Sequence, residues 1–429
     1  MSITSSMYTG AAGMSSHSDA MGVISDNIAN VNTVGYRSQR ANFADVLGGF
    51  IAGSAAGAGS RIGSVQTMFM QGSLLGTGNN LDLAIEGNGF FVVNGAVGGV
   101  DGSYYTRSGQ FHTDADGYLV NPDGLRVQGY GLDSTGAVGN TPGDMMITQD
   151  TLPPTATANV TVKANLDADQ AIDPTAFDIN DPGGTSDYST GITAYDSLGT
   201  PHQLTLFFKK LADAPTQQWE VHVAAAGTDV TPAATSEYTE LGNGTLDFDT
   251  AGALSASSLS SVNVSWAGAA AATINLDFGT PTGSGGTGVD GITGYAESSG
   301  ASAITQDGSG SGELSDYQVL ADGTVEGRYT NGQTRPLGQL ATAVFASEDG
   351  LARRGNALFG ATIESRDPVL GRPGSDGHGA LMAGSLEGSN VDLAHEFVTM
   401  IAVQRGFQGN SRTITTADDM LTEVVSLKR

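Results

Sequence analysis

The sequence predicts a mainly β protein with α-helical termini: N- and C-terminal helices forming a coiled-coil-like pair, a discontinuous antiparallel β domain, and an inserted second β domain. Three observations carry that expectation. Prolines are confined to the interior, none before Pro122 and none after Pro373, so the two ends are the parts that tolerate long helices. Apolar residues recur in sevens at both ends, whereas the interior holds short β-branched and aromatic runs separated by turn dipeptides. Residues 151 to 300 hold three lysines, no arginine and 17 acidic residues, a net −14 that is about half of the chain's −27.

At the N-terminus, one line of sevens holds Met7, Met14, Met21 and Ile28, and the adjoining line holds Ile3, Gly10, His17, Ile24 and Val31. Gly10 and His17 are its weak places. Toward the C-terminus, Leu393, Met400, Phe407, Ile414 and Leu421 stand seven apart, with Val403, Ala417 and Val424 on the companion line. Burial on a globular core is the plainer reading of such stripes. Their narrowness, their Ser, Thr, Asn and Gln flanks and their adaptable methionines fit helices that join the two ends to each other and to other copies. Residues 1–47 with 386–429 are thus expected to form a helical core region. Residues 48–74 begin with a Gly, Ala and Ser run that offers little to bury, and are expected to be a flexible linker.

Between the ends the period falls to two, in runs such as Phe90-Phe91-Val92-Val93, Leu204 to Phe208 and Ala341 to Phe345. Asn94-Gly95, Asp116-Gly117, Asp123-Gly124, Asn243-Gly244, Asp322-Gly323 and Asn331-Gly332 are read as the hairpin turns, because these dipeptides accept positive φ. The acidic block marks residues 151–301 as a separate inserted domain, and 75–150 with 302–385 as the β domain it interrupts.

Composition excludes several functions. A chain of 429 residues holds about two to four domains. Four lysines and fourteen arginines spread over it offer no basic patch for nucleic acid or an anionic membrane. The absence of cysteine removes disulfides, thiolate metal sites and cysteine nucleophiles. The first basic residue is Arg37, too late for a secretory signal, and the most apolar run, Leu81 to Val100, contains Asp82 and Glu86, so neither a signal peptide nor membrane insertion is expected.

No catalytic constellation stands out. The six histidines occur singly, and His395-Glu396 lacks a second histidine at the zinc-protease spacing, since position 399 is Thr. Gly-Lys, which a phosphate loop needs, does not occur. Gly283 to Gly288 fits Gly-x-Gly-x-x-Gly but follows Pro281 and opens no helix. Asp114-Ala115-Asp116-Gly117 starts like a calcium loop without its later ligands and reads as a turn. No catalytic, metal-binding or cofactor-binding residues are therefore expected. An acidic secreted β-rich binding protein and a polysaccharide hydrolase remain as rival classes, but neither explains two matched terminal seams.

Four segments resemble one family. Asn27-Ile28-Ala29-Asn30-Val31-Asn32-Thr33-Val34-Gly35-Tyr36-Arg37 is similar to the N-terminal signature of bacterial flagellar rod, hook and hook-associated proteins. Ser389-Asn390-Val391-Asp392-Leu393, Glu396-Phe397 and Gln404-Arg405-Gly406-Phe407-Gln408-Gly409-Asn410-Ser411-Arg412 resemble the C-terminal one, with Gly409 where the family usually has Ala. Ala84 to Val92 and Tyr105 to Phe111 match its shared β segment. Asn27, Asn30, Asn32, Gly35, Tyr36, Asn390, Asp392, Gln404, Arg405 and Asn410 are the motif positions. The acidic insertion and the wording at 405–408 favour the hook branch over the distal rod or hook-associated branches.

The resemblance implies a subunit that self-assembles into a curved extracellular tube on the basal-body side of the flagellum. That tube transmits motor torque as a universal joint and encloses the export channel. It also implies passage through the flagellar type III export apparatus without a cleaved signal. The expected partners are further copies of the chain together with rod, hook cap and hook-filament junction proteins.

Overall fold

In a computed structural model the described residues are 3–51, 54–133, 136–147, 151–213, 216–233 and 236–426, with side chains except at 3, 48–51 and 54–56. The chain divides into two compact units, Met1–Gln149 with Asp316–Arg328 and Thr334–Arg429, and Asp150–Ser315 with Tyr329–Gln333.

The first unit begins with a helix, Ile3–Ala29, and ends with one, Leu393–Ser426. Neither contains proline, and the second starts where the Asp392 carboxylate accepts the backbone N–H of Ala394 at 2.8 Å and of His395 at 3.2 Å, an N-cap. The helices run antiparallel: Gly10 lies against Ile414, Gly13 against Asn410, His17 against Gly406, and Ala20 and Ile24 cluster with Val403.

The contact line differs from the predicted seam. Gly10, Gly13, Ser16, Ala20, Ile24 and Asn27 are the buried residues of the N-terminal helix, while Met7, Met14, Met21 and Ile28 flank them half-buried. Small side chains let the backbones approach: a Cβ on Gly13 would lie 2.6 Å from the Asn410 amide. Gly10 is thus a point of contact rather than a weakness. Val31 lies beyond the helix end, and the side chain of Ile3 is outside the described set. On the C-terminal helix Val403 and Ala417 are buried and Met400, Ile414 and Leu421 half-buried, but Leu393, Phe407 and Val424 are exposed. A straight helix drifts about 20° per heptad, so a stripe of sevens leaves a single partner along a 34-residue helix.

Strands within 48–74 correct the linker expectation. Gln39–Ile51 and Ser54–Thr67 pair antiparallel as a hairpin that packs on the N-terminal helix. Strand pairing satisfies the backbone without large side chains, and glycine admits close approach: a Cβ on Gly59 (φ 104°) would lie 3.1 Å from that of Ala12. Leu74–Gly76 forms a further short strand against Ser385–Glu387.

The β part of this unit hydrogen-bonds Thr334–Leu340, Arg126–Leu132, Phe90–Val97, Val100–Thr106, Leu358–Gly360 and Ala352–Gly355 in that order. Its core gathers Phe90, Val92, Tyr105, Phe345, Leu351 and Phe359. Four of the six turn dipeptides make turns, with positive φ at Gly117, Gly124, Gly323 and Gly332. Asn94-Gly95 and Asn243-Gly244 instead lie inside strands. There the missing side chain makes room for Leu125 over Gly95 and for Leu259 over Gly244.

The second unit holds a five-stranded sheet, Tyr188–Tyr195, Pro201–Ala212, Gln218–Ala226, Tyr238–Phe248 and Leu254–Ser257, and a four-stranded one. In the latter, Asn159–Asn165 pairs antiparallel with Gly300–Gln306, so the insertion enters and leaves on neighbouring strands. One core joins both sheets around Trp219 and Trp266. Trp219→Ala should cost about 3–5 kcal/mol, and Trp219→Phe less, because phenylalanine also removes a buried indole N–H that has no partner. Urea unfolding followed by the remaining Trp266 fluorescence checks both.

Candidate assembly site at the root of the terminal helices

Where the helices enter the β part, four chain segments meet at buried polar side chains. The Glu387 carboxylate, fully buried just before the C-terminal helix, pairs with Arg37 Nη2 at 2.8 Å and Arg107 Nη1 at 3.3 Å. It also accepts the backbone N–H of Gly72 at 2.8 Å. Arg107 donates further to the carbonyls of Gly87 and Ile85 and lies 5.3 Å from the centre of the Phe90 ring. Burial lowers the Arg107 pKa against the pull of Glu387. Burial likewise raises that of the Glu348 carboxyl, opposed by Arg107 and Arg37.

Asn27 and Asn390 act as clips between segments. Asn27, wholly buried, donates to Gln39 O at 2.7 Å and to Glu396 on the C-terminal helix at 2.9 Å, and accepts from Gln39 N–H at 2.8 Å. Asn390 accepts from Ser38 N–H at 2.7 Å and donates to the carbonyls of Met68 and Met70. An amide carries both donors and acceptor, which is why asparagine serves at each place.

Tyr36 donates to Asp26 at 3.1 Å and lies under the Arg353 guanidinium at 5.1 Å. Its pKa is pushed up to about 12, by burial first, with Arg353 opposing and Asp26 adding. Gly35 has φ 69°, donates to Glu387 O at 2.8 Å, and leaves no room for a Cβ beside Ser108 N.

The structure thus brings Asn27, Gly35, Tyr36, Asn390 and Asp392 to one place. Asn30 bonds locally to Asp26, and Asn410 packs on Gly13 away from the root. Asn32, Gln404 and Arg405 are exposed. Glu387 and Arg107 are hub residues that periodicity does not reveal; the available signal is a charged residue set inside an apolar strand or beside a tight glycine turn. Among the described residues no group of three His, Asp or Glu converges to hold a metal.

The two ends of the chain are thus tied together at one root from which both terminal helices extend. Comparisons with known proteins identify the family. Residues 7–37 match the flagella basal body rod protein family, 84–167 the flagellar hook protein FlgE/F/G D1 domain, 165–309 the flagellar basal body protein FlaE D2 domain, and 382–427 the flagellar basal body rod FlgEFG protein C-terminal family. The chain is 34% identical over 468 residues to flagellar hook protein FlgE of Borreliella burgdorferi, spanning 99% of each. It is 34% identical over 427 residues to that of Salmonella typhimurium, 97% of this chain and 98% of the relative. A crystal structure of Helicobacter pylori flagellar hook protein FlgE2 shares the fold over 75% of this chain and 99% of its own, at TM-score 0.51 and 16% identity. The chain belongs to the flagellar hook protein family.

Glu387→Ala, which strands two buried arginines, should cost about 3–5 kcal/mol, measurable by urea unfolding. The neutral Tyr36 phenol has a folded pKa of about 12 against an ordinary 10.0. The stability it contributes is therefore fully present below about pH 10 and lost as pH rises toward 12. Tyr36→Phe should flatten that part of the alkaline stability profile.

Proposed function

We propose that copies of this chain assemble into the curved tubular hook of the bacterial flagellum, a universal joint carrying motor torque to the filament, with the terminal helices around the export channel. The observation that carries this reading is the uncovered apolar edge of the C-terminal helix. Phe397, Val398, Ile401, Met420, Val424 and Val425 are 49 to 70% exposed. Burying such surface is favourable by roughly 25 cal/mol per Å², and only other chains can cover it in a protomer already folded. Met400, Val403, Ile414, Ala417 and Leu421 hold the pair within one copy, while Leu393, Phe407, Val424, Gln404 and Arg405 remain for neighbours.

In this reading the chain is structural rather than catalytic. It lies outside the cell, arrives through the type III export apparatus, and abuts rod, hook cap and hook-filament junction proteins at the ends of the tube. No helix among the described residues is long and apolar enough to cross a membrane. Torque passes between helices and β part through the buried root, a stiff connection, rather than through a flexible linker.

Electron microscopy under polymerising conditions tests the proposal. The intact chain should form tubes, and the double variant Val398→Asp, Ile401→Asp should stay monomeric with an unchanged melting temperature. A chain lacking residues 1–30 and 391–429 should also form none. Equal polymerisation of all three would remove the helices from their role.

A further inference from the structure

Asparagine precedes glycine at 88–89, 94–95, 243–244 and 331–332. At such a step the asparagine side-chain carbonyl lies within reach of the next backbone nitrogen, and glycine puts no Cβ in the way. Three of these steps are tied down. Asn94 is held in a strand that pairs with Ser103 on one side and Arg126 on the other, and Gly95 pairs with Gly102. Asn243 pairs with His222 inside a strand, and its side-chain amide donates to Glu240 at 3.0 Å. The Asn331 amide donates to Gly310 O at 2.8 Å and accepts from Gln333 N–H at 3.1 Å, while Gly332 N–H donates to Tyr329 O at 3.0 Å.

Asn88–Gly89 differs on each count. It lies between the strands Leu83–Glu86 and Phe90–Val97, where the chain bends through Gly87 (φ 103°) and Gly89 (φ 119°). The Asn88 side chain is exposed on an open cleft of about 590 Å³ and has no partner among the described residues. Gly89 is buried, and its N–H makes no hydrogen bond among the described residues, although buried backbone donors are almost always paired. Closing a ring at this nitrogen removes the donor and its penalty together. The Asn88 backbone carbonyl accepts the Gly379 N–H at 2.7 Å. When the Gly89 nitrogen gives up its proton, the negative charge is shared with that same carbonyl oxygen, so a donor already fixed there favours the reactive form. The Arg107 guanidinium, donating to Gly87 O at 2.7 Å, sets a positive charge beside the bend, against the carboxylates of Glu348 and Asp349 on the cleft and of Glu86 just before it in the chain.

We propose that Asn88–Gly89 is a self-modification site, at which the folded chain converts Asn88 into aspartate and isoaspartate through a cyclic imide with water as the only co-reactant. The Gly89 nitrogen attacks Asn88 Cγ, the N–Cγ bond forms, the Cγ–Nδ2 bond breaks, and Nδ2 leaves as ammonia with the proton from Gly89. Water then opens the imide, its hydroxyl going to a carbonyl carbon and its hydrogen to the Gly89 nitrogen. Attack at Cγ yields aspartate. Attack at the backbone carbonyl carbon yields isoaspartate, in which the chain runs through the former side chain. Either product adds a carboxylate to the cleft, and isoaspartate also lengthens the backbone by one carbon directly before Phe90, which is 1% exposed in the core of the β part. The reaction needs no other copy of the chain and stands apart from the self-assembly reading.

The test holds the full-length folded chain in mildly alkaline buffer and follows it by mass-spectrometric peptide mapping, with a parallel sample in urea as the reference in which no step is protected. Corrected for its rate in urea, Asn88 should convert at least about tenfold faster than Asn94, Asn243 or Asn331 in the folded chain, because the other three must first leave native hydrogen bonds. Isoaspartate should appear beside aspartate, and heavy-oxygen water should label both. Asn88→Gln, which sets the carbonyl one carbon further from the nitrogen, should abolish conversion at 88 and leave the melting temperature unchanged. Chain aged until position 88 is mostly isoaspartate should unfold at lower urea than Asn88→Asp, which carries the charge without the extra backbone carbon. Conversion at Asn88 no faster than at Asn331 in the folded chain overturns the site. Aspartate formed without isoaspartate overturns the imide route, and equal urea midpoints for the aged chain and Asn88→Asp overturn the effect on the core.

Discussion

The Glu387 carboxylate is the constraint on which the first unit depends. It sits immediately before the C-terminal helix and answers Arg37, which follows the N-terminal helix, and Arg107, which follows a central strand of the β part. Desolvation offsets much of the Coulomb attraction in such a site, so its contribution to stability is modest compared with its selectivity. Any arrangement that parts Glu387 from either arginine leaves an unpaired charge in the interior. Two ends separated by about 350 residues of sequence are thereby held in one register.

Around this knot the neutral clips do complementary work. Asn27 ties helix to hairpin and helix to helix, Asn390 ties the approach of the C-terminal helix to Ser38, Met68 and Met70, and Gly35 supplies a turn that admits Ser108. Hydrogen bonds made away from water are costly to break without replacement. The root therefore behaves as one cooperative piece. Above it, the helix pair is joined along a narrow line where Gly10, Gly13, Ala20 and Ile24 meet Ile414, Asn410 and Val403, which leaves apolar side chains of the C-terminal helix exposed.

The acidic insertion follows a different logic. Its two sheets close on a core containing both tryptophans, and its buried lysines anchor the segment around Ala168 to Thr185. The charges that remain exposed on it are mainly carboxylates, with Lys163 exposed and Lys210 paired to Asp213, and like charge of this kind is mutually repulsive.

Proline placement, apolar sevens and the turn dipeptides already determined that helices lie at the ends, that the middle is β, and that 151–301 differs in character, because these are local preferences of backbone and side chain. The motif asparagines could be named in sequence, but their partners could not. Asn27 meets Glu396 across 369 positions, a pairing that no local rule contains. Tertiary structure alone decided that glycine rather than methionine lines the helix contact, that Phe407 faces outward, and that Ser54–Thr67, within the 48–74 expected to be a linker, pairs as a strand with Gln39–Ile51. Each depends on which surface lies opposite. A glycine is a weakness in an isolated helix and an advantage where another backbone must come close, and the sequence does not carry that neighbour's position.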